Sequence, residues 1–213
     1  MIIAASTFTA SLAIIAPVIT IFQAGAQAAR IRRTGAKGVS LGTWLLSAFV
    51  AEIWLCYGFV FHVPAEIGAN VPCLIVASTV AFLAAQSQEK MARSLVGYAG
   101  LTLVTVIATF AGTFHQYRWI MATVAVTSSV VIYLPQLALV IRPKDLSGVS
   151  AISWATACVT ALCWLVYGFL IHQPAVALPS VVMLPSAIII LIQVLRHRIK
   201  NDPLHGVQAP IIE

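Results

Sequence analysis

Seven apolar stretches decide what this chain can become. They cover residues 8–29, 42–61, 65–86, 95–114, 119–141, 152–171 and 175–195. Each is near the ~20 residues that carry an α-helix across a hydrocarbon core. Backbone polar groups in lipid must be bonded within the segment, so each stretch is expected to be a helix. The other solution, a closed barrel, would alternate apolar and polar side chains at every second position, and no such alternation occurs. Only 8% of the 213 residues are charged, against about 25% in a soluble domain. That supply is too small to cover a water-facing surface, and the reading is an all-α, multi-pass membrane protein.

The basic residues orient it. Arg30, Arg32, Arg33 and Lys37 follow the first stretch, Lys90 and Arg93 the third, Arg142 and Lys144 the fifth, and Arg196, Arg198 and Lys200 the seventh. Only Arg118 lies at the other end. With eleven of twelve Lys and Arg on one side, the positive-inside rule sets the N-terminus outside and the C-terminus in the cytoplasm. Such short, separated clusters suit anionic lipid head groups and not nucleic acid. The opening "MIIAASTFTASLAIIAP" lacks the positive region of a signal peptide and reads as the start of the first span. The polar tail "NDPLHGVQAPIIE" reads as disordered. A bacterial plasma membrane is the expected location.

Little catalytic chemistry is available. All four cysteines (Cys56, Cys73, Cys158 and Cys163) sit in apolar segments and read as packing residues. There is no nucleotide-binding loop, no Ser/His/Asp order and no paired carboxylates. Neither enzyme activity, nor a cofactor, nor a metal is expected.

The chain repeats itself. "IWLCYGFVFHVPAEIGAN" (Ile53–Asn70) matches "CWLVYGFLIHQPAVALPS" (Cys163–Ser180) at an offset of 110 residues. "KGVSLGTW" (Lys37–Trp44) matches "SGVSAISW" (Ser147–Trp154) at the same offset. Helices 1, 2 and 3 thus pair with 5, 6 and 7, and helix 4 has no counterpart. Three helices reverse the chain's direction, so one extra helix lets both copies insert the same way. The expected architecture is two parallel three-helix bundles joined by a linker helix (3+1+3): residues 1–90, a linker at 91–116, residues 117–200, and the tail 201–213. Parallel repeats place a substrate site between the copies near mid-bilayer.

At 1.5 Å per residue, Trp54 and Asn70 lie at matching depth on consecutive helices, roughly 8–11 Å below the outer surface, and Trp164 is level with Ser180. A Trp ring beside an amide suits a sugar, whose C–H face stacks on aromatics while its hydroxyls need donors and acceptors. An Asn that glues two spanning helices is the competing reading, and position alone leaves both open. Glu52, inside helix 2, is the only acidic residue deep in a span. It is either a proton-coupling site or a helix-to-helix hydrogen bond, and it stands about 200° around the helix from Trp54. His62 and His172 occupy equivalent helix ends, where interfacial hydrogen bonding is favoured over a metal or pH site. Trp44 and Trp154 read as interfacial belt residues or as inner-gate packing.

"YLPQLALVIRPKDLSGVSAISW" (Tyr133–Trp154) resembles the PQ-loop signature, and W-L-x-Y-G with an Asn sixteen residues after the Trp resembles the SWEET and SemiSWEET sugar transporters. The resemblance covers residues 8–196. It implies passive, bidirectional uniport of mono- or disaccharides by alternating access. It further implies that Trp54, Asn70, Trp164 and Ser180 line the substrate cavity, that Pro135 in helix 5 is a hinge, and that Tyr57 and Tyr167 stand near an outer gate. Implied partners are the sugar and membrane lipids, and a homo-oligomer is compatible with it. Three departures stand out. Gly25-Ala26 replaces the first Pro-Gln, Ser180 replaces the second Asn, and Glu52 lies opposite Leu162 of the other copy. They keep two further readings alive: a proton-coupled carrier of a small amino-acid-like solute that uses Glu52, and a non-transporting receptor or assembly protein.

Overall fold

The computed structural model describes the backbone of residues 2–34, 41–85, 91–141 and 151–200, and the side chains of residues 6–22, 41–85, 95–132, 151–197 and 199. Those residues are all-helical apart from short turns. They form α1 (Ile2–Thr34), α2 (Leu41–Phe61), α3 (Pro64–Ala85), α4 (Met91–Thr113), α5 (Arg118–Ile141), α6 (Ala151–Leu170) and α7 (Pro174–Lys200), with a single 3-10 turn at His115–Tyr117. Each of the seven expected stretches lies inside one helix or overruns it by a single residue. Lys37, Lys90, Arg142, Lys144 and the tail 201–213 lie outside the described residues, as does the side chain of the expected hinge Pro135, whose backbone is part of α5.

Among the described residues five helical segments are long and apolar enough to cross a membrane: Leu41–Phe61, Pro64–Ala85, Leu95–Thr113, Ala151–Leu170 and Pro174–His197. A shorter apolar stretch, Ser6–Phe22, lies in α1. Large apolar side chains cover the outside of the bundle, among them Phe8, Val96, Phe110, Ile152 and Phe169. A water-soluble monomer rarely exposes so large an apolar area. By helix length and hydropathy this is a multi-pass membrane protein.

Two hairpins organise the packing. α2 turns into α3 through His62 and Val63, and α6 into α7 through Ile171, His172 and Gln173. His62 and His172 have φ of 56° and 55°, the left-handed conformation that closes a helix C-terminus. The Val63 N–H donates to the Gly58 carbonyl at 2.9 Å and the Gln173 N–H to the Gly168 carbonyl at 2.9 Å, the same bond in both copies. Pro64 and Pro174 then open the next helices, where a missing N–H costs nothing. The two histidines therefore work through their backbone, and their side chains are exposed.

Gly58 and Gly168 let each hairpin close. A Cβ on Gly58 would stand 2.8 Å from Ile67 Cγ1, and one on Gly168 would stand 2.6 Å from the Ala177 backbone nitrogen. α2 packs most extensively on α3 and α6 on α7. α1 adds to α3 as α5 adds to α7, and α1 meets α6 as α2 meets α5. α4 packs on α2 and α5.

Gly168→Ala is expected to destabilise the protein by about 1–3 kcal/mol, because the clash is with backbone that cannot turn away. Gly58→Ala meets a side chain first and gains helix propensity of ~1 kcal/mol, so its net effect is expected to be the smaller. Unfolding in mixed detergent micelles ranks the two.

Candidate functional site

Trp54 on α2 is buried at 6% exposure. Its indole Nε1–H donates to Ser129 Oγ on α5 at 2.7 Å, and that hydroxyl donates to the Ala125 carbonyl at 3.1 Å. Trp164 on α6 does the same in the other direction. Its Nε1–H donates to Thr20 Oγ1 on α1 at 3.1 Å, and Thr20 donates to the Ala16 carbonyl at 2.8 Å. A hydroxyl is the one neutral side-chain group that accepts and donates through a single atom, so it can take the indole proton and still bond its own helix. Each repeat thus gives its Trp N–H to a helix of the other repeat. The register is not exact: the counterpart of Ser129 at the 110-residue offset is Ile19, next to Thr20.

Between these bonds lies a cavity of about 140 Å³, walled by Thr20, Trp54, Glu66, Asn70, Ser129 and Trp164 together with residues of α6 and α7. Six helices contribute, and α4 supplies none of the described lining residues. Three of the four residues expected there, Trp54, Asn70 and Trp164, are present. Ser180 is not among the lining residues. It is buried at 2% exposure, while its neighbours on α7, Pro179 and Met183, face the cavity.

Asn70 sits one turn after Glu66 on the same face of α3. Its Nδ2 donates to the Glu66 carbonyl at 2.9 Å and to Glu66 Oε2 at 2.9 Å. Both N–H groups are therefore spent within α3, and none bonds a neighbouring helix. What Asn70 offers the cavity is its Oδ1 acceptor. Glu66 itself is buried at 6% exposure and has no ion pair among the described residues. Its repeat counterpart is Val176, so the cavity carries one carboxyl group, on one side. Depth within a span singles out Glu52 and leaves out Glu66, the second residue of the 65–86 stretch. The Glu–x–x–x–Asn spacing was the available signal.

Glu52, read from sequence as either a proton-coupling site or a helix-to-helix hydrogen bond, is not among the residues that line the cavity. Its Oε2 accepts from Tyr98 Oη at 3.4 Å and from Thr102 Oγ1 at 3.3 Å, both on α4. The 200° offset from Trp54 turns it away from the interior of the bundle. It therefore adopts the helix-to-helix hydrogen bond that was the other reading.

At the hairpin end the two tyrosines cover the tryptophans. Tyr57 is fully buried, its ring centroid 5.1 Å from that of Trp54 and 4.2 Å from that of Phe61. Tyr57 Oη donates to Gln173 Oε1 at 3.0 Å and so ties α2 to the α6–α7 turn. Tyr167 packs edge-on to Trp164 at 5.9 Å. The counterpart of Gln173 is Val63, which has no side-chain acceptor, so Tyr167 cannot make the matching bond. Among the described residues no three His, Cys, Asp or Glu side chains converge in a way that could hold a metal ion.

Comparison with protein-family models and with curated proteins gives no match to this chain.

Ser129→Ala strips the acceptor from a buried indole N–H and is expected to cost about 1–3 kcal/mol, whereas Trp54→Phe with Ser129→Ala removes both partners and costs less than the two single changes added together. A double-mutant cycle on unfolding in detergent measures that coupling.

Proposed function

We propose that this chain is a SWEET-like uniporter that passes a monosaccharide-sized sugar across a plasma membrane in either direction by alternating access. On this reading residues 1–90 and 117–200 are two parallel three-helix bundles related by an axis normal to the membrane, and 91–116 is the linking span. The N-terminus and both hairpin turns lie at the outer face, and the C-terminus is cytoplasmic. Packing that is unchanged in kind when the halves are exchanged, α1 on α6 and α2 on α5, supports the parallel repeat.

One observation carries the reading. The cavity lies between reciprocal Trp–hydroxyl bonds, and its wall presents indole rings beside the Asn70 acceptor and hydroxyls from Thr20, Ser129 and Thr160. Rings for a C–H face and neutral polar groups for hydroxyls are the chemistry a sugar needs. The volume of about 140 Å³ is small beside the ~300–1,000 Å³ of pockets for drug-sized ligands, which favours a monosaccharide over a disaccharide. Transport then requires the Tyr57–Gln173 bond to open at the hairpin end while the seam closes at the other.

In proteoliposomes, Asn70→Ala is expected to lower uptake of the transported sugar at least about tenfold, the effect of ~1.4 kcal/mol of lost binding. Normal uptake in that variant would remove the site assignment. Glu52→Gln is expected to stay within about twofold of the parent, because a hydrogen bond to α4 of ~1 kcal/mol is the most it changes.

Glu66 favours a second reading, a proton-driven carrier of a small amino-acid-like solute, since an intramembrane carboxyl group on a solute cavity commonly serves proton traffic. The two readings part on energetics. Accumulation of solute against its gradient when a proton gradient is imposed, abolished by Glu66→Gln, selects the second; equilibration alone, with Glu66→Gln still conducting, selects the first.

A further inference from the structure

A larger cavity, of about 410 Å³, lies apart from the central one and shares no lining residue with it. Its wall is formed by Arg118, Trp119 and Val126 of α5, Tyr57 and Phe61 of α2, and Leu178 of α7. Arg118 is the one basic residue at the hairpin end of the sequence pattern. Its guanidinium carbon stands 5.5 Å from the Phe61 ring centroid. Its Nε is buried without a hydrogen-bond partner, and it is the only buried side-chain N or O atom among the described residues in that state. A charged donor left unpaired in a buried place is costly. The chain offers no acid to answer it among the described residues, because Glu52 is bonded to α4 and Glu66 to Asn70.

We propose that this cavity binds an anionic phospholipid, with the head-group phosphate on Arg118 and one acyl chain laid along α5. The charge of Arg118 and its orphaned Nε–H call for a phosphate oxygen. Apart from Thr123, Thr127 and Gln173 the rest of the wall is apolar and calls for hydrocarbon. From Arg118 through Ala122 to Val126 this mainly apolar wall runs down ~12 Å of helix, a length that a free phosphate ion would leave empty. Trp119, largely exposed at the start of α5, is the kind of residue that sits at a membrane–water boundary. The inference needs only the membrane-spanning character of the bundle and not the sugar reading. It has one consequence for that reading. The cavity includes Tyr57 and Gln173, so an occupant touches both partners of the bond that closes the hairpin end.

The test uses the full chain in phosphatidylcholine nanodiscs that contain a few per cent of phosphatidylglycerol brominated on its acyl chains. The quenched fluorescence that disappears in Trp119→Phe reports this cavity and excludes lipid bound at the basic clusters of the other end. The expected result is an enrichment of phosphatidylglycerol at Trp119 of about fivefold over its bulk fraction, the effect of one basic contact with an anionic lipid. Arg118→Gln and Ala122→Phe are each expected to abolish the enrichment. The first removes the phosphate contact. The second blocks the chain slot and leaves Arg118 in place, so it serves even if the first variant folds poorly. Equal quenching by brominated phosphatidylcholine would make the lipid ordinary annular lipid and overturn the proposal. Loss of enrichment on adding millimolar inorganic phosphate would make it a free-anion site and overturn the lipid assignment. Unchanged enrichment in both variants would overturn the site.

Discussion

An indole N–H between helices in a bilayer has no water to turn to, and the assembly of this chain rests on how two of them are satisfied. Trp54 and Trp164 each find a hydroxyl on the opposite repeat, and each hydroxyl donates its own hydrogen bond to a carbonyl one turn back. Without Ser129 and Thr20 the rings could not be buried at the seam at a tolerable cost. With them, both rings are fixed edge-first to the neighbouring half. On the proposed reading the ring faces are what remains for a solute, so the bonds that join the halves also shape the site.

The two copies are alike at every position where the backbone is constrained. Gly58 and Gly168 are held by close helix crossings, His62 and His172 by left-handed turns, and Pro64 and Pro174 by helix starts. Trp54 and Trp164, and Tyr57 and Tyr167, also match, but around them the copies diverge: Glu66 against Val176, Asn70 against Ser180, Gln173 against Val63. The first copy brings a carboxyl and an amide to the cavity, and the second brings the acceptor that holds Tyr57. Division of labour of this kind is available to a fused pair and closed to a symmetric dimer of one half.

The helices were legible because hydropathy acts over twenty residues and averages out local error. The depth match of Trp54 and Asn70 was legible because helix rise is fixed, and the outward turn of Glu52 because the angle per residue is fixed too. Ser129 and Thr20 were not. Hydroxyls are ordinary in spanning helices, and their partners depend on how the halves meet, with a one-residue slip between the copies that no offset search can anticipate. Ser180 illustrates the opposite case, since the 110-residue offset carries it to the level of Asn70 and the structure buries it among packed side chains, with Pro179 and Met183 at the cavity instead. Arg118 stood out in the charge pattern as an exception, and only its environment gives the exception content.

Each hairpin is fastened twice, once at its bend and again where a glycine lets the two helices touch. A plank fastened at two points does not flex between them. On the proposed reading, motion between the halves then falls on the joint where they meet, and a wedge or a clamp at either end of that joint would be enough to jam it.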